Sequence, residues 1–449
     1  PVLMLGLLVL PFVLMLIKEP ALVLTFSVLM DATGIGVPGV SYTTLGLLAK
    51  LLLIVVAILG IALGKRGWKG ARLAERKPIL MLTMIVFVLM ATRGTGIRAL
   101  GGTTWGGMIY INMLLAVVFF FAVNGLIVSS KHIHWMLWGA LIAGLFGSLL
   151  QQSGFEDAVE NQTAAAQSRL SFLTPIANAI LPLALVLKLK RARWLVPCII
   201  LLCLGLTGLT GFRSRLVGMI AVISGFYFFR SRNRVAFIFK MGTLGVLTWI
   251  TIVLASPMLP LGLQRAVSFV PGAQIDSRIA NDAEGSIEWR IEIWKYCLER
   301  APQYLLLGRG ATFDVMETSA SLSIEDREVY SPWLAFQTRS YHSGPLTLLI
   351  DYGLPGVIAA LWLTVVSFRF LWRTASRIAL SDSFEARYAT YLCVTLLWMW
   401  FSFYFVYGGA VGFAGRIFRM GLVYVVCASV LDMQDKQSKK NELISGEEE

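Results

Sequence analysis

Apolar runs of about twenty residues, separated by short clusters of lysine and arginine, recur along this chain and leave it almost no way to be a water-soluble globule. The run 40–64, broken only by Lys50, is followed by KRGWKGARLAERK, which carries Lys65, Arg66, Lys69, Arg72, Arg76 and Lys77. A stretch of that length crosses a hydrocarbon layer of about 30 Å as a helix, and the cations that follow it mark the cytoplasmic end. With 57% hydrophobic and only 14% charged residues, the chain is too apolar and too sparsely charged to build a soluble surface. The net charge of +13 would point to nucleic acid in a soluble protein. Here the cations fall between apolar runs, where they orient the chain in a membrane, and no nucleic-acid partner is expected.

In chain order, residues 1–30 are apolar apart from Lys18, Glu19 and Pro20 and form two short helices or one broken one. No cleavable signal peptide is read there. After 40–64, spans are expected near 79–92, 105–129, 134–150, 172–188, 193–212, 215–229 and 235–262, then 345–368, 388–406 and 411–431. The alternation places Lys131 with His132, Lys188 to Arg193, Arg230 to Arg234 and Arg369 to Arg387 inside, and Glu156, Asp157 and Glu160 outside. The expected fold is an all-α polytopic integral membrane protein with about twelve transmembrane helices, thirteen if residues 1–30 cross twice, and one large outer loop holding short amphipathic helices. Four units follow: N-terminal transmembrane helices over 1–262, the outer loop over 263–344, C-terminal transmembrane helices over 345–431 and a polar cytoplasmic tail over 432–449. Cys198, Cys203, Cys393 and Cys427 lie in or beside spans and only Cys297 in the loop, so neither a disulfide framework nor a cysteine zinc site is expected.

The outer loop is too long to be a simple connection. Ser286 as N-cap, Glu288 in the first turn, and Ile287, Ile291, Trp294 and Leu298 at helical spacing predict an amphipathic helix over 287–300, ended by Pro302, with its apolar stripe on the spans or the lipid interface. Arg290 sits beside that stripe. In GFRSRLVG, Arg213 and Arg215 fall at the outer junction between two spans, against the orientation rule, and so invite a functional account. Guanidinium is suited to phosphate because it stays charged and donates paired hydrogen bonds in one plane. Arg416 and Arg419, in the outer part of the last span, are further candidates to face a cavity.

The stretch YHSGPLTLLIDYGLPG puts Tyr341, His342 and Ser343 at the water boundary where a span begins, and imidazole is the side chain that most readily exchanges a proton near neutral pH. Gly353 and Gly356 lie within that span and would admit a neighbouring helix. His342 and Ser343, nine residues, Gly353, two residues and Gly356 resemble the histidine-to-glycine signature of the O-antigen ligase and polymerase superfamily. Ser214 with Arg215 is similar to its serine-arginine motif, and Arg290 with Trp294, then Gly308 and Gly310 in LLGRG, to its loop pattern. Arg213 has no counterpart in that pattern.

The resemblance implies a ligase of the bacterial inner membrane with a periplasmic active site, moving a polysaccharide from undecaprenyl diphosphate to a sugar hydroxyl of lipid A-core and inverting the anomeric carbon. On that expectation His342 orients or deprotonates the acceptor, and Arg215 and Arg290, with Arg213, hold the diphosphate. Gly308 and Gly310 are turn residues. No metal and no cofactor is expected, because the lipid diphosphate is already activated and arginines can neutralise it. Partners are the lipid-linked glycan, lipid A-core and membrane lipids. A polymerase using the same donor, and in a different class a lipid-linked glycan transporter, remain alternatives; the transporter is less favoured because the candidate groups gather at one face with no evident repeat. No DxD on the outer face, Walker loop or HExxH occurs.

Overall fold

The computed structural model describes residues 19–33, 36–37, 40–62, 74–96, 106–153, 173–188, 194–312 and 332–446. The expectations placed on residues 1–18, on Lys65, Arg66, Lys69 and Arg72, and on Glu156, Asp157 and Glu160 lie outside them. In order the helices are α1 (Pro20–Thr33), α2 (Leu45–Ala62), α3 (Arg76–Arg93), α4 (Met108–Val123), α5 (Ser130–Ser153), α6 (Leu173–Val186), α7 (Leu195–Leu209), α8 (Arg213–Arg230) and α9 (Arg234–Ala255). They continue as α10 (Leu261–Val267), α11 (Ser277–Arg300), α12 (Pro332–Thr338), α13 (Gly344–Ile378), α14 (Phe384–Phe405) and α15 (Ala410–Gly446). Among the described residues the only strands form a short antiparallel hairpin of β1 (Gly36–Val37) and β2 (Val40–Thr44), with Val37 opposite Val40.

Each expected span from 40–64 onward overlaps a helix, although residues 40–44 of the first form strand β2 and the helix of 235–262 ends at Ala255. Among the described residues four stretches, Arg234–Met258, Gly344–Ile378, Phe384–Phe405 and Gly412–Lys439, are long and apolar enough to cross a membrane. Helix starts follow side-chain chemistry: Asn233 caps α9 by accepting from Ala236 N at 2.9 Å, and Ser383 caps α14 by accepting from Ala386 N at 3.1 Å. One continuous apolar cluster joins α1 to α8 with α13, α14 and α15. Within it α4 packs on α15, and α13 on α3 and α14. α9 has no buried residue, and large side chains such as Phe239 and Leu254 point away from the protein all round it, the surface of a helix solvated by lipid.

Residues 261–312 and 332–343 form a cap over one end of the bundle, with its own small core of Ile293, Cys297, Ala301, Ala335, Phe336 and Tyr341 fastened to Leu346 and Ile350 of α13. Two expectations are corrected here. The loop helix runs over Ser277–Arg300 rather than 287–300, because Asp276 caps it by accepting from Arg278 N at 2.9 Å, which leaves Ser286 in mid-helix. Of the two placements expected for the Ile287, Ile291, Trp294 and Leu298 stripe, the one on the spans is not observed: all four are exposed, and the face bearing Ala283, Ile293 and Cys297 packs inward. Burial pushes the Cys297 thiol up to about 12, so this buried cysteine is a packing residue.

Several cations at the far end of the bundle from this cap are paired. Asp382 takes Lys188, Arg230 at 2.7 Å and Arg387 at 3.5 Å, and Arg377 meets Asp435 at 2.9 Å. Arg213 and Arg230 open and close the same helix, so the two ends stand about 26 Å apart at 1.5 Å per residue.

Candidate functional site

The site is built from a broken helix. At Gly353 the backbone of α13 leaves helical geometry (φ 69, ψ −174), and the carbonyls and N–H groups this frees are taken by the LLGRG turn. Arg309 N donates to Ile350 O at 2.6 Å, Gly310 N to Asp351 O at 3.0 Å, and Leu354 N to Leu305 O at 2.7 Å. A side chain on Gly308 would put its Cβ 2.6 Å from Asp351 O and 2.8 Å from Gly353 N, so only glycine lets the turn reach the break. Gly310 has positive φ and faces Tyr110 and Arg93, and Arg93 Nε donates to Gly308 O at 3.2 Å. Gly356 packs against Tyr352 of its own helix, and what Gly353 admits is this turn rather than a neighbouring helix.

Above the break, residues 339–343 are held from three sides. Tyr341 is fully buried, donates from its hydroxyl to Asp351 Oδ1 at 3.1 Å, and through its carbonyl accepts from Trp294 Nε1 at 2.9 Å. Burial and the neighbouring Asp351 push the Tyr341 phenol well above its ordinary 10.0, which keeps it a donor. Arg339, buried with φ 62, faces Asp351 Oδ1 at 3.5 Å and donates to Ala311 O and, at 2.8 Å, to Thr312 O. Arg309 donates to Phe336 O at 2.6 Å and to Gln337. Ser343 caps α13 by accepting from Leu346 N.

These contacts fix His342 in a left-handed conformation (φ 52), which costs a non-glycine residue about 1–3 kcal/mol and persists only where the surroundings impose it. Its ring lies between two aromatics, edge-on to Trp289 at 5.0 Å and tilted to Tyr407 at 5.2 Å. His342 Nδ1 is buried without a hydrogen-bond partner, and so is Arg290 Nε. Burial, then the charge of Arg290, lower the His342 pKa below 6.5, so the imidazole is neutral at neutral pH and can accept a proton.

The arginines divide into two groups. Arg213 is close enough to Arg290 and Arg265 that, after burial, those two charges lower its pKa, with Asp282 opposing them. Arg265 is itself paired with Asp282 at 2.8 Å. Arg215 turns another way: it donates to Thr174 Oγ1 at 3.1 Å and lies over the Phe212 ring at 4.1 Å. Two arginines in the first turn of α8 oppose the helix dipole, an arrangement an anion would relieve. Arg290 is thus near enough to act on both His342 and Arg213, while Arg215 is directed to α6. Arg416 is committed to the fold, donating to Met399 O at 2.7 Å and Gly412 O at 2.6 Å, whereas Arg419 lines a cavity within the bundle.

Sequence reasoning missed Trp289, Tyr407, Arg265 and Asp351. Asp351 carried a readable signal, a lone carboxylate in the apolar run LTLLIDYGL. Trp289 and Tyr407 carried none, since an aromatic in a membrane protein is ordinarily packing. Among the described residues no cluster of histidine, cysteine and carboxylate could hold a metal ion.

Residues 198–361, from α7 through the cap to the first half of α13, match the O-antigen ligase family model, a segment that contains His342, Arg290, Arg213, Arg215 and the Gly308–Gly353 contact. No curated protein matches the chain.

Proposed function

We propose, on the match of residues 198–361 to the O-antigen ligase family model, that this chain is a metal-independent glycosyltransferase moving a glycan from a polyprenyl diphosphate to a sugar hydroxyl of lipid A-core. The observation that carries the reading is the meeting of His342 and Arg290, two side chains from distant segments, each with a buried nitrogen lacking a partner. Buried polar atoms in a native fold are nearly always satisfied, so a pair left open at one place is a site awaiting a ligand.

In the reaction the acceptor hydroxyl oxygen forms the new bond to the anomeric carbon as the bond from that carbon to the diphosphate oxygen breaks. The electron pair leaves on the diphosphate and the hydroxyl proton passes to the neutral imidazole of His342. Arg290 and Arg213 face the charge that grows on the leaving group; among the described residues neither forms an ion pair with a carboxylate, Asp282 being paired with Arg265. Arg215, beside them in sequence but bonded to Thr174, holds α6 to the site or turns to the diphosphate when donor binds. Direct displacement inverts the anomeric centre. The cations at the far end of the bundle support reading that end as cytoplasmic, and with it the cap and His342 as periplasmic in an inner-membrane protein.

Purified protein in detergent, given lipid-linked glycan with and without lipid A-core, tests this. Transfer that requires the core is expected; lengthening of the lipid-linked chain without core identifies a polymerase instead. Substituting His342→Ala is expected to cost roughly 10²–10⁴-fold in rate. Wild-type transfer by a correctly inserted His342→Ala protein would falsify the role given to the imidazole.

A further inference from the structure

The turn that joins α14 to α15 is driven against the start of α13. A Cβ built on Gly408 would lie 2.5 Å from the Cα of Gly344 and 2.7 Å from its nitrogen, and one built on Gly344 would collide with Phe403 O, so backbone meets backbone two residues after His342. The N–H groups of Val406 and Tyr407 both donate to Ser402 O, at 2.9 and 2.8 Å, which closes α14 and turns the chain into that contact; Thr347 Oγ1 reaches Gly408 O at 3.4 Å. Tyr407 is the side chain this turn delivers. Its ring stands 5.2 Å from that of His342, yet the residue is 54% exposed. Trp289, on the other flank of the imidazole at 5.0 Å, is partly buried and packed against the small core of the cap. The two aromatics therefore differ in kind: Trp289 backs the histidine from within the protein, and Tyr407 leaves an open ring beside it. Aromatic surface left open where polar groups converge is the composition of a ligand pocket.

We propose that Tyr407 is the platform on which the acceptor's sugar ring stacks, presenting its reacting hydroxyl to His342. The inference rests on the reading of His342 as the proton acceptor and adds the residue that selects and orients the acceptor. A hydroxyl that gives its proton to the imidazole lies about 2.6–3.2 Å from a ring nitrogen, so the pyranose bearing it rests against whatever flanks that ring. With Trp289 packed on the cap core, the open flank is Tyr407. The face of an aromatic ring is electron-rich, and a pyranose turns weakly positive C–H hydrogens to one side, so the two surfaces attract and shed water together. Such a contact orients a sugar without using charge. It leaves Arg290 and Arg213 to the anionic donor and gives the neutral acceptor a surface of its own. A pyranose with hydrogens along one face is favoured, and one whose faces are both crowded by axial hydroxyls is disfavoured.

The test is steady-state transfer by the full-length protein in one detergent, with lipid-linked glycan and lipid A-core varied in turn, together with saturation-transfer NMR of delipidated core oligosaccharide on the same protein. Tyr407→Leu keeps apolar bulk at the membrane boundary and removes the ring. It is expected to raise KM for the acceptor roughly tenfold and to weaken the oligosaccharide signal, with much smaller changes in donor KM and in kcat. Tyr407→Trp is expected to restore the acceptor KM that Tyr407→Leu raises. Tyr407 is not among the charges acting on His342, so the acid limb of kcat/KM is expected to stay in place in Tyr407→Leu. A limb that moves would mean that the ring acts by holding the imidazole, and overturns the inference. A wild-type acceptor KM in Tyr407→Leu overturns it too, the result for an aromatic that only anchors the turn at the lipid boundary. His342→Ala separates this inference from the reading beneath it. Oligosaccharide bound by His342→Ala and lost on adding Tyr407→Leu supports the platform, and equal binding by the two overturns the platform alone; wild-type transfer by His342→Ala removes the role of the imidazole alone.

Discussion

Gly308 and Gly353 pack backbone against backbone: a Cβ built on either one would lie 2.8 Å from the amide nitrogen of the other. That contact joins the cap to the membrane helix at the one place where the helix is broken, and it positions everything from Arg339 to His342. Both residues have positive φ, 66 and 69, so each is fixed as glycine twice over, by conformation and by space.

Replacing Gly308 or Gly353 by alanine is therefore expected to destabilise the protein by about 1–3 kcal/mol each. The double alanine variant is expected to cost less than the sum, because the first clash already lifts the turn from the break. Thermal unfolding in one detergent, run as a double-mutant cycle, checks this; strict additivity would show that the two glycines matter only through their own torsion angles.

Asp351 is the hub beneath the histidine, with Arg339 at 3.5 Å and the Tyr341 hydroxyl at 3.1 Å, all three buried. Asp351→Asn keeps an acceptor for Tyr341 but leaves the Arg339 charge uncompensated, and breaking a buried pair from one side costs about 3–5 kcal/mol. A lowered thermal midpoint with reduced activity per folded molecule is expected. An Asp351→Asn protein as stable and active as wild type would mean that Arg339 is held by the Ala311 and Thr312 carbonyls alone.

How much of this was legible depended on whether a residue's role was local or relayed through the fold. Helix positions follow from apolar run length, so every expected span from 40–64 onward found its helix, and His342 was marked by standing where the run begins. The start of the cap helix was misplaced because Ser286 read as its N-cap where Asp276 fills that role, and the Ile287, Ile291, Trp294 and Leu298 stripe was expected on the spans or at the lipid interface. Periodicity reports that a face is apolar and not whether protein or lipid covers it, and here the face of Ile293 and Cys297 packs inward. The pairing of Arg290 with Arg213 rather than Arg215 was not legible either. Both sit in GFRSR, and which one turns toward the cap depends on where Thr174 of α6 stands, a long-range fact of packing.

That division of arginines predicts a pattern of couplings. Arg213 and Arg290 feel one another's charge, so Arg213→Ala and Arg290→Ala are expected to be non-additive in kcat/KM by about 0.5–3 kcal/mol. Arg215→Ala, with its guanidinium on Thr174, is expected to combine with Arg290→Ala within about 0.5 kcal/mol of additivity. The reverse result, with Arg215 coupled and Arg213 independent, would show that Arg215 leaves Thr174 to join Arg290 on the donor.

The pH dependence follows from the same charges. Burial first, and Arg290 second, lower the His342 pKa below 6.5. A base works in its neutral form, so its activity is full above that lowered pKa and is lost as pH falls through it. The acid limb of kcat/KM is therefore expected to have its midpoint below 6.5 in the wild type. Arg290→Met removes the cation that opposes protonation and is expected to move the midpoint upward, toward the ordinary imidazole value, on whatever activity remains. Arg215→Met is expected to lower the rate without moving the limb, since Arg215 is not among the charges acting on His342. An acid limb that stays put in Arg290→Met, or one that disappears only when a different residue is replaced, would remove His342 from the proton transfer while leaving the glycine-docked cap intact.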